Sequence, residues 1–186
     1  MNNKTAKPLL WIGMASIGMA FAGLTSGYVV AKGSLEAKNI WMTIALPEAF
    51  YYSTAAMVLS SILLFQGKMA WKSDFPRRAI QYLHFAIVLG IVFVGLQVVG
   101  WRQLMDQEIW FTGEMSTPAG SWLYVITWFH WMHALAGTLV LAVTVVEGRK
   151  GRYSRDNHLG YDLASQFWHF LGILWIYLLL FLLFLR

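Results

Sequence analysis

The chain has 186 residues, of which 58% are hydrophobic and only 12% charged, with a formal net charge of +5 and no cysteine. A soluble globular domain carries about 25% charged residues, so this is the composition of a membrane protein, and the lack of thiols excludes disulfides, thiolate metal sites and iron–sulfur clusters. The positive charge makes no case for nucleic acid, because the basic residues fall between apolar spans, where they set topology.

Five stretches meet the requirement of about 20 apolar residues for crossing a bilayer: 9–31, 47–67, 80–101, 121–146 and 163–185. No intervening segment is long enough to fold as a soluble unit. The expectation is an all-α integral membrane protein, a bundle of five transmembrane helices forming one membrane domain over residues 1–186. The first span is too long and too glycine-rich for a signal-peptide core and is expected to remain as a helix. Its small residues include Gly13, Gly18, Ala22, Gly23 and Gly27. The pairs Gly18/Ala22 and Gly23/Gly27 predict a close backbone approach by another helix.

The loop over residues 68–78 is short and basic, so the second and third spans form an antiparallel hairpin. The loop over 102–120 holds Asp106, Glu108 and Glu114, with Trp101, Trp110 and Trp122 in it or near its ends. Indole rings favour the headgroup layer, and an interfacial belt is the expectation for all three. The fourth loop carries Arg149, Lys150, Arg152 and Arg155, a basic run suited to anionic lipid. With five crossings, one side holds Lys4, Lys7, Lys68, Lys72, Arg77, Arg78, Arg149, Lys150, Arg152 and Arg155, ten of the fourteen Lys and Arg. Lys32, Lys38, Arg102 and Arg186 lie opposite. The positive-inside rule then predicts a cytoplasmic N-terminus and a C-terminus outside.

Chemistry concentrates in the histidines. His130 and His133 stand three residues apart in the fourth span, on one helical face. His84 and His169 lie in the third and fifth spans, and His158 in the fourth loop. Buried imidazoles invite a haem or metal reading. The spacing argues against it: His130 and His133 leave one helix in the same direction, and the carboxylates, Asp162 among them, lie at helix ends or in loops. The bland alternative is polar glue between helices. His130, His133 and Gly137 form one stripe of polar and small residues, and Gln166, His169 and Gly172 form another, so both are expected to be helix–helix seams. Gln97 is expected in a similar seam. Catalytic, cofactor-binding and metal-ligating residues are expected to be absent. Two rival classes remain, a free-standing cytochrome b with axial histidines and a small transporter, although the latter lacks embedded charge.

Phe129-His130-Trp-Met-His133-Ala-Leu-Ala-Gly137 resembles the Phe-His-x-x-His-x-x-x-Gly motif of subunit III of haem–copper respiratory oxidases. Phe167-Trp168-His169-Phe170, with Trp175 beyond, is similar to that family's Tyr-Trp-His-Phe motif, and His158-Leu-Gly-Tyr-Asp162 stands at its His…Glu segment. Upstream, Ser16, Met19 and Phe21, then Leu46-Pro47, Thr54 and Leu59-Ser60-Ser61, then Leu89-Gly90, Phe93 and Gln97 continue the likeness. It covers nearly the whole chain and corresponds to the last five helices of a seven-helix form. Five-helix members exist, notably in quinol oxidases, and a relative accompanying nitric-oxide reductase shares the plan.

The resemblance implies a non-catalytic subunit of a cytochrome c oxidase, part of a proton-pumping oxidoreductase complex. Such a subunit stabilises subunit I and supports proton uptake during oxygen reduction. It also implies that haem and copper reside in partner subunits, and that the partners are oxidase subunits I and II and phospholipids, with a larger respiratory supercomplex as a further association. Arg102, Arg149, Arg152, His158 and Asp162 are candidates for lipid or loop contacts, and His130, His133, Gly137, Gln166, Trp168 and His169 for interhelical ones. The location implied is a bacterial inner (plasma) membrane. Three positions depart from the family: its intramembrane glutamate falls at Ile17, an asparagine at Ser53, and a second glutamate near Gly100. No proton role of the first glutamate transfers to this chain.

Overall fold

The computed structural model describes residues 3–154 and 157–185, with the side chains of residues 3 and 4 left aside. Arg155 and Arg186, two of the fourteen Lys and Arg, lie outside the described residues, as do Asp156 and the side chain of Lys4. The structure is all-helical apart from an isolated bridge between Trp110 and Ser116. Its helices are α1 (Asn3–Glu36), α2 (Glu48–Lys72), α3 (Pro76–Asp106), α4 (Pro118–Arg149) and α5 (Leu159–Phe184). All five are long and apolar enough to cross a membrane.

The helices outrun the predicted spans, by six residues at the start of α1 and by five at the ends of α1, α2 and α3. Hydropathy reports only the hydrocarbon layer, whereas Lys, Glu, Gln and Ala are good helix formers and carry the backbone into the headgroups. Where the helices stop, four of them use one device. Asn39, Asp74, Glu108 and Gly151 have φ of 57°, 60°, 60° and 71°. The next residue's N–H then reaches back to the carbonyl five positions earlier: Ile40 to Leu35, Phe75 to Ala70, Ile109 to Leu104 and Arg152 to Glu147, at 2.9–3.2 Å. This left-handed stop satisfies carbonyls that a helix end would otherwise leave unpaired. Starts are equally local. Pro76 and Pro118 occupy the first helical positions of α3 and α4, and the Thr117 hydroxyl accepts from the N–H of Gly120 at 3.2 Å.

Packing builds a closed ring. α2 pairs with α3, α3 with α4, α4 with α5, and α5 returns to α2. α1 lies outside this ring against α4 and α5, with no close approach to α2 or α3 among the described residues. The ring closes because small residues let large ones in. Gly100 of α3 faces the Phe50 ring of α2, Gly90 of α3 faces Trp168 of α5, and Gly172 of α5 meets Met57 and Ser61 of α2. The close backbone approach predicted for α1 is not what its glycines show among the described residues: a Cβ on Gly27 would lie 2.8 Å from the Trp122 side chain, while Gly13, Gly18 and Gly23 have nothing within 4 Å.

Two of the three tryptophans expected in a headgroup belt have partners within the protein. Trp101 is 8% exposed, and its Nε1–H donates to Thr127 Oγ1 at 3.1 Å between α3 and α4. Trp122 is half-buried against α1. Trp110 is exposed. A preference for the interface applies to rings that lack a protein partner, and Trp101 has one in Thr127 and two more in the indoles of Trp128 and Trp131, with centroids at 5.4 and 5.6 Å.

Candidate functional site

α4 carries the first histidine pair into the bundle. His130 is fully buried. Its ring stacks on Trp175 of α5 at 5.2 Å and 27°, and meets the edges of Phe93 of α3 and Phe21 of α1 at 6.0 and 6.1 Å. His133, one turn on, is half-buried, and Phe21 also meets it, at 5.8 Å. The shared contact with Phe21 places both imidazoles on one face, as their spacing predicts.

The expected hydrogen bonds between helices do not run through these rings. His133 Nδ1 pairs with the Phe129 carbonyl at 2.7 Å, and His169 Nε2 with Ser165 Oγ at 3.1 Å, both within their own helices. Neither nitrogen of His130 has a hydrogen-bond partner among the described residues. The cross-helix bonds come instead from indoles, phenols and small polar side chains. Trp131 Nε1 donates to the Val94 carbonyl, Trp175 Nε1 to Thr54 Oγ1, Gln97 Nε2 to Ser53 Oγ and Ser60 Oγ to the Ala86 carbonyl, all at 2.9–3.1 Å. Tyr161 closes α5 on α2 through the Leu64 carbonyl at 2.5 Å, and its ring lies over Gly67. Tyr161, Trp131, Tyr124 and Thr127 are among the interhelical residues that the sequence did not point to. For Tyr161 the signal is an aromatic residue opposite a small one, Gly67, visible once the helix pairing is known.

The two small-residue stripes serve different neighbours. Gly137 of α4 faces Leu171 and Trp168 of α5, where a Cβ would come within 2.7 and 3.1 Å. Gly172, one turn beyond His169, faces α2. The α4–α5 seam thus runs through Gly137, Trp168 and Leu171, with Gln166 and His169 turned off it. Spacing along a helix defines a face but does not say which helix covers it.

At the end of the bundle that carries the α2–α3 and α4–α5 loops, charged side chains tie helix ends together. Asp162, in the first turn of α5, pairs with Lys68 Nζ of α2 at 2.9 Å and lies 3.7 Å from His158 Nε2. A carboxylate also suits a helix N-terminus. Arg149 donates to His84 Nε2 at 2.5 Å, joining α4 to α3, while His84 Nδ1 pairs with the Ile80 carbonyl. Because arginine only donates, that pattern places the His84 proton on Nδ1. Arg152 and Lys150 both pair with Glu147. Tyr153 packs on Trp71 at 5.9 Å, and burial, with Glu147 adding to it, pushes its phenol above the usual range. Arg102, at the other end, is exposed. Arg149 and Asp162 thus join neighbouring helix ends, and Arg152 and His158 tie the α4–α5 loop to them.

Three apolar cavities open on the helical surface. One of about 470 Å³ lies beneath the α3–α4 loop between Trp101, Trp128 and Phe111. Two others, of about 450 and 500 Å³, flank His169, one toward Met57 and Phe65 of α2 and one toward Trp11 and Met14 of α1. No group of three or more His, Cys, Asp or Glu converges as a metal cage among the described residues.

A helical ring with a fifth helix against its side, apolar outside and stitched by indoles inside, defines an integral membrane bundle. The family model for cytochrome c oxidase subunit III matches residues 52–185, well over half of the chain. The chain belongs to that family. It is 26% identical over 173 residues to a cytochrome c oxidase subunit 3 of Thermostichus vulcanus, an alignment covering 91% of this chain and 82% of the relative. It is 30% identical over 126 residues to that of Anopheles gambiae and 29% to that of Danio rerio, covering 68% of this chain and 46% of each relative. The matched region therefore spans less than half the length of those animal relatives.

Proposed function

We propose that this chain is the non-catalytic subunit III of a cytochrome c oxidase, that it binds no redox group, and that haem and copper reside in its partners, subunits I and II. The observation that carries this reading is the family match over residues 52–185, which includes the buried His130 and the aromatic rings of Phe93 and Trp175 packed on it. The role inferred is mechanical: the chain braces subunit I and thereby sustains proton uptake over many turnovers. Ile17 stands where the family has its glutamate, which favours this indirect role over a proton-carrying one.

The outer face of α1 suits docking. It exposes Ile12, Met19 and Val30, and Gly13 and Gly23 are open to close approach by another helix. Phospholipid chains suit the apolar cavities, and the loop arginines that are exposed suit their headgroups. The charge asymmetry supports an N-terminus in the cytoplasm and a C-terminus outside, in a bacterial plasma membrane. Membership of a larger respiratory supercomplex is compatible with the same surface.

Affinity purification from native membranes tests the proposal. Subunits I and II should co-purify with haem and copper, and the complex should oxidise reduced cytochrome c. A quinol-oxidising or nitric-oxide-reducing partner would move the chain to the five-helix relatives of those enzymes. Stoichiometric haem on the isolated chain would refute the proposal outright.

A further inference from the structure

Three buried polar atoms near the centre of the ring lack a protein partner at closely matched depth: both nitrogens of His130 and Oε1 of Gln97. Both residues are fully buried. Their level follows from the bonds on either side. Trp101 of α3 bonds Thr127 of α4, and Trp131 of α4 bonds Val94 of α3. Gln97, between Val94 and Trp101, therefore faces the turn of α4 that holds His130. Phe93, one turn from Gln97, already touches the His130 ring.

Each side chain is pinned by something else. Gln97 gives its amide N–H to Ser53 of α2 at 2.9 Å, which fixes the amide plane. The His130 ring is held by its stack on Trp175, which is itself bonded to Thr54, the neighbour of Ser53. A chain of contacts runs from Gln97 to His130, by hydrogen bonds from Gln97 to Ser53 and from Trp175 to Thr54 and by the stack of Trp175 on His130. In a bilayer interior an unsatisfied polar group costs several kcal/mol, and a site with two or more polar partners is where buried water is found.

We propose that one water molecule is bound between Gln97 and His130 and pairs Gln97 Oε1 with the nearer of the two ring nitrogens. It donates one hydrogen to Gln97 Oε1. Toward the imidazole it accepts from an N–H or donates to a bare nitrogen, so it serves either neutral tautomer. A direct bond would need the N–H to point at the amide, from a ring already fixed by Trp175.

The test uses the full chain in its native complex or in nanodiscs. His130→Phe keeps an aromatic ring over Trp175 and removes both nitrogens. Because it also removes the second, unbridged nitrogen, its effect is read against Gln97→Met. If water bridges the two residues, losing either partner strands the other, so His130→Phe should be more favourable in the Gln97→Met background than in the unsubstituted chain, by about tenfold in the ratio of folded to unfolded protein. Additive effects of the two substitutions would overturn the proposal. A high-resolution density map of the unsubstituted complex decides independently of whether variants fold. It should show one peak about 2.7–3.2 Å from both side chains. A direct contact between His130 and Gln97, or no peak, would overturn the proposal as well.

Discussion

Trp168 of α5 lies over Gly137 of α4 and Gly90 of α3 together: a Cβ would stand 3.1 Å from the indole at the first position and 3.0 Å at the second. One fully buried side chain thus fills a crevice that two backbones leave for it. Gly137→Val should crowd Trp168 and Leu171 and destabilise the bundle by about 1–3 kcal/mol, the usual range for overpacking. Gly23→Ala, with nothing within 4 Å, should be close to neutral in the isolated chain. Denaturation in detergent micelles or by steric trapping checks the pair, and equal losses would show that the α4–α5 seam lies elsewhere.

Removing the plug is the complementary change. Trp168→Ala deletes a fully buried indole and should cost about 3–5 kcal/mol. Suppression by a second substitution, Gly137→Leu, would be a direct sign that the two positions share one volume.

The hydrogen bond of Trp101 separates it from Trp110. Trp101→Phe keeps the ring and loses the bond to Thr127, a loss of about 0.6 kcal/mol on the average for membrane interhelical polar contacts. Trp110→Phe should change stability little, since its ring is exposed. Fluorescence gives a second readout: an aqueous quencher should act on the Trp110 contribution and spare that of Trp101.

Glu108 is a non-glycine residue at φ 60°. A side chain there costs about 1–2 kcal/mol, so Glu108→Gly should raise stability by about 1 kcal/mol, and Asp74→Gly by less because aspartate tolerates this conformation better. A fall in thermal midpoint for Glu108→Gly would mean that its side chain makes a contact outweighing the backbone strain.

These stops explain what the sequence left hidden. Five apolar runs announce five helices, and the His-Trp-rich motifs announce the family, because both depend on residue type and local spacing. Helix ends depend on a backbone conformation for which glycine is the usual signal, and three of the four stops use Asn39, Asp74 and Glu108. The position of Trp101 could not be read either: an indole near a span end looks the same whether its N–H meets a headgroup or Thr127. The seam of α5 was partly legible, as small residues in register, but that they face α2 at Gly172 depends on how the ring closes.

The proposed function implies that the histidines can be altered without touching redox chemistry. His133→Ala or His169→Leu should leave haem and copper contents of the purified complex unchanged, with initial turnover lowered modestly and activity over many turnovers lowered more. Metal analysis and progress curves measure the two. Loss of a metal signal from an intact complex would instead identify a ligand.

With no native cysteine, orientation can be read by labelling. Ser73→Cys and Ser154→Cys should react with a membrane-impermeant maleimide only in opened cells, and Glu114→Cys in intact ones. The reverse pattern would invert the proposed topology.

The placement of α1 has a consequence for biosynthesis. It is synthesised before α2 and α3, yet it packs on α4 and α5, which follow them, and Tyr28 and Lys32 complete the contact by donating to the carbonyl of Leu185 at 3.1 and 3.0 Å. During translation the face of α1 that carries Phe21 and Tyr28 must therefore wait in the lipid without its partners while α2 and α3 pair behind it. In that interval α1 is open to capture by any neighbouring helix, so the order of synthesis favours meeting another subunit before the chain has finished folding on itself.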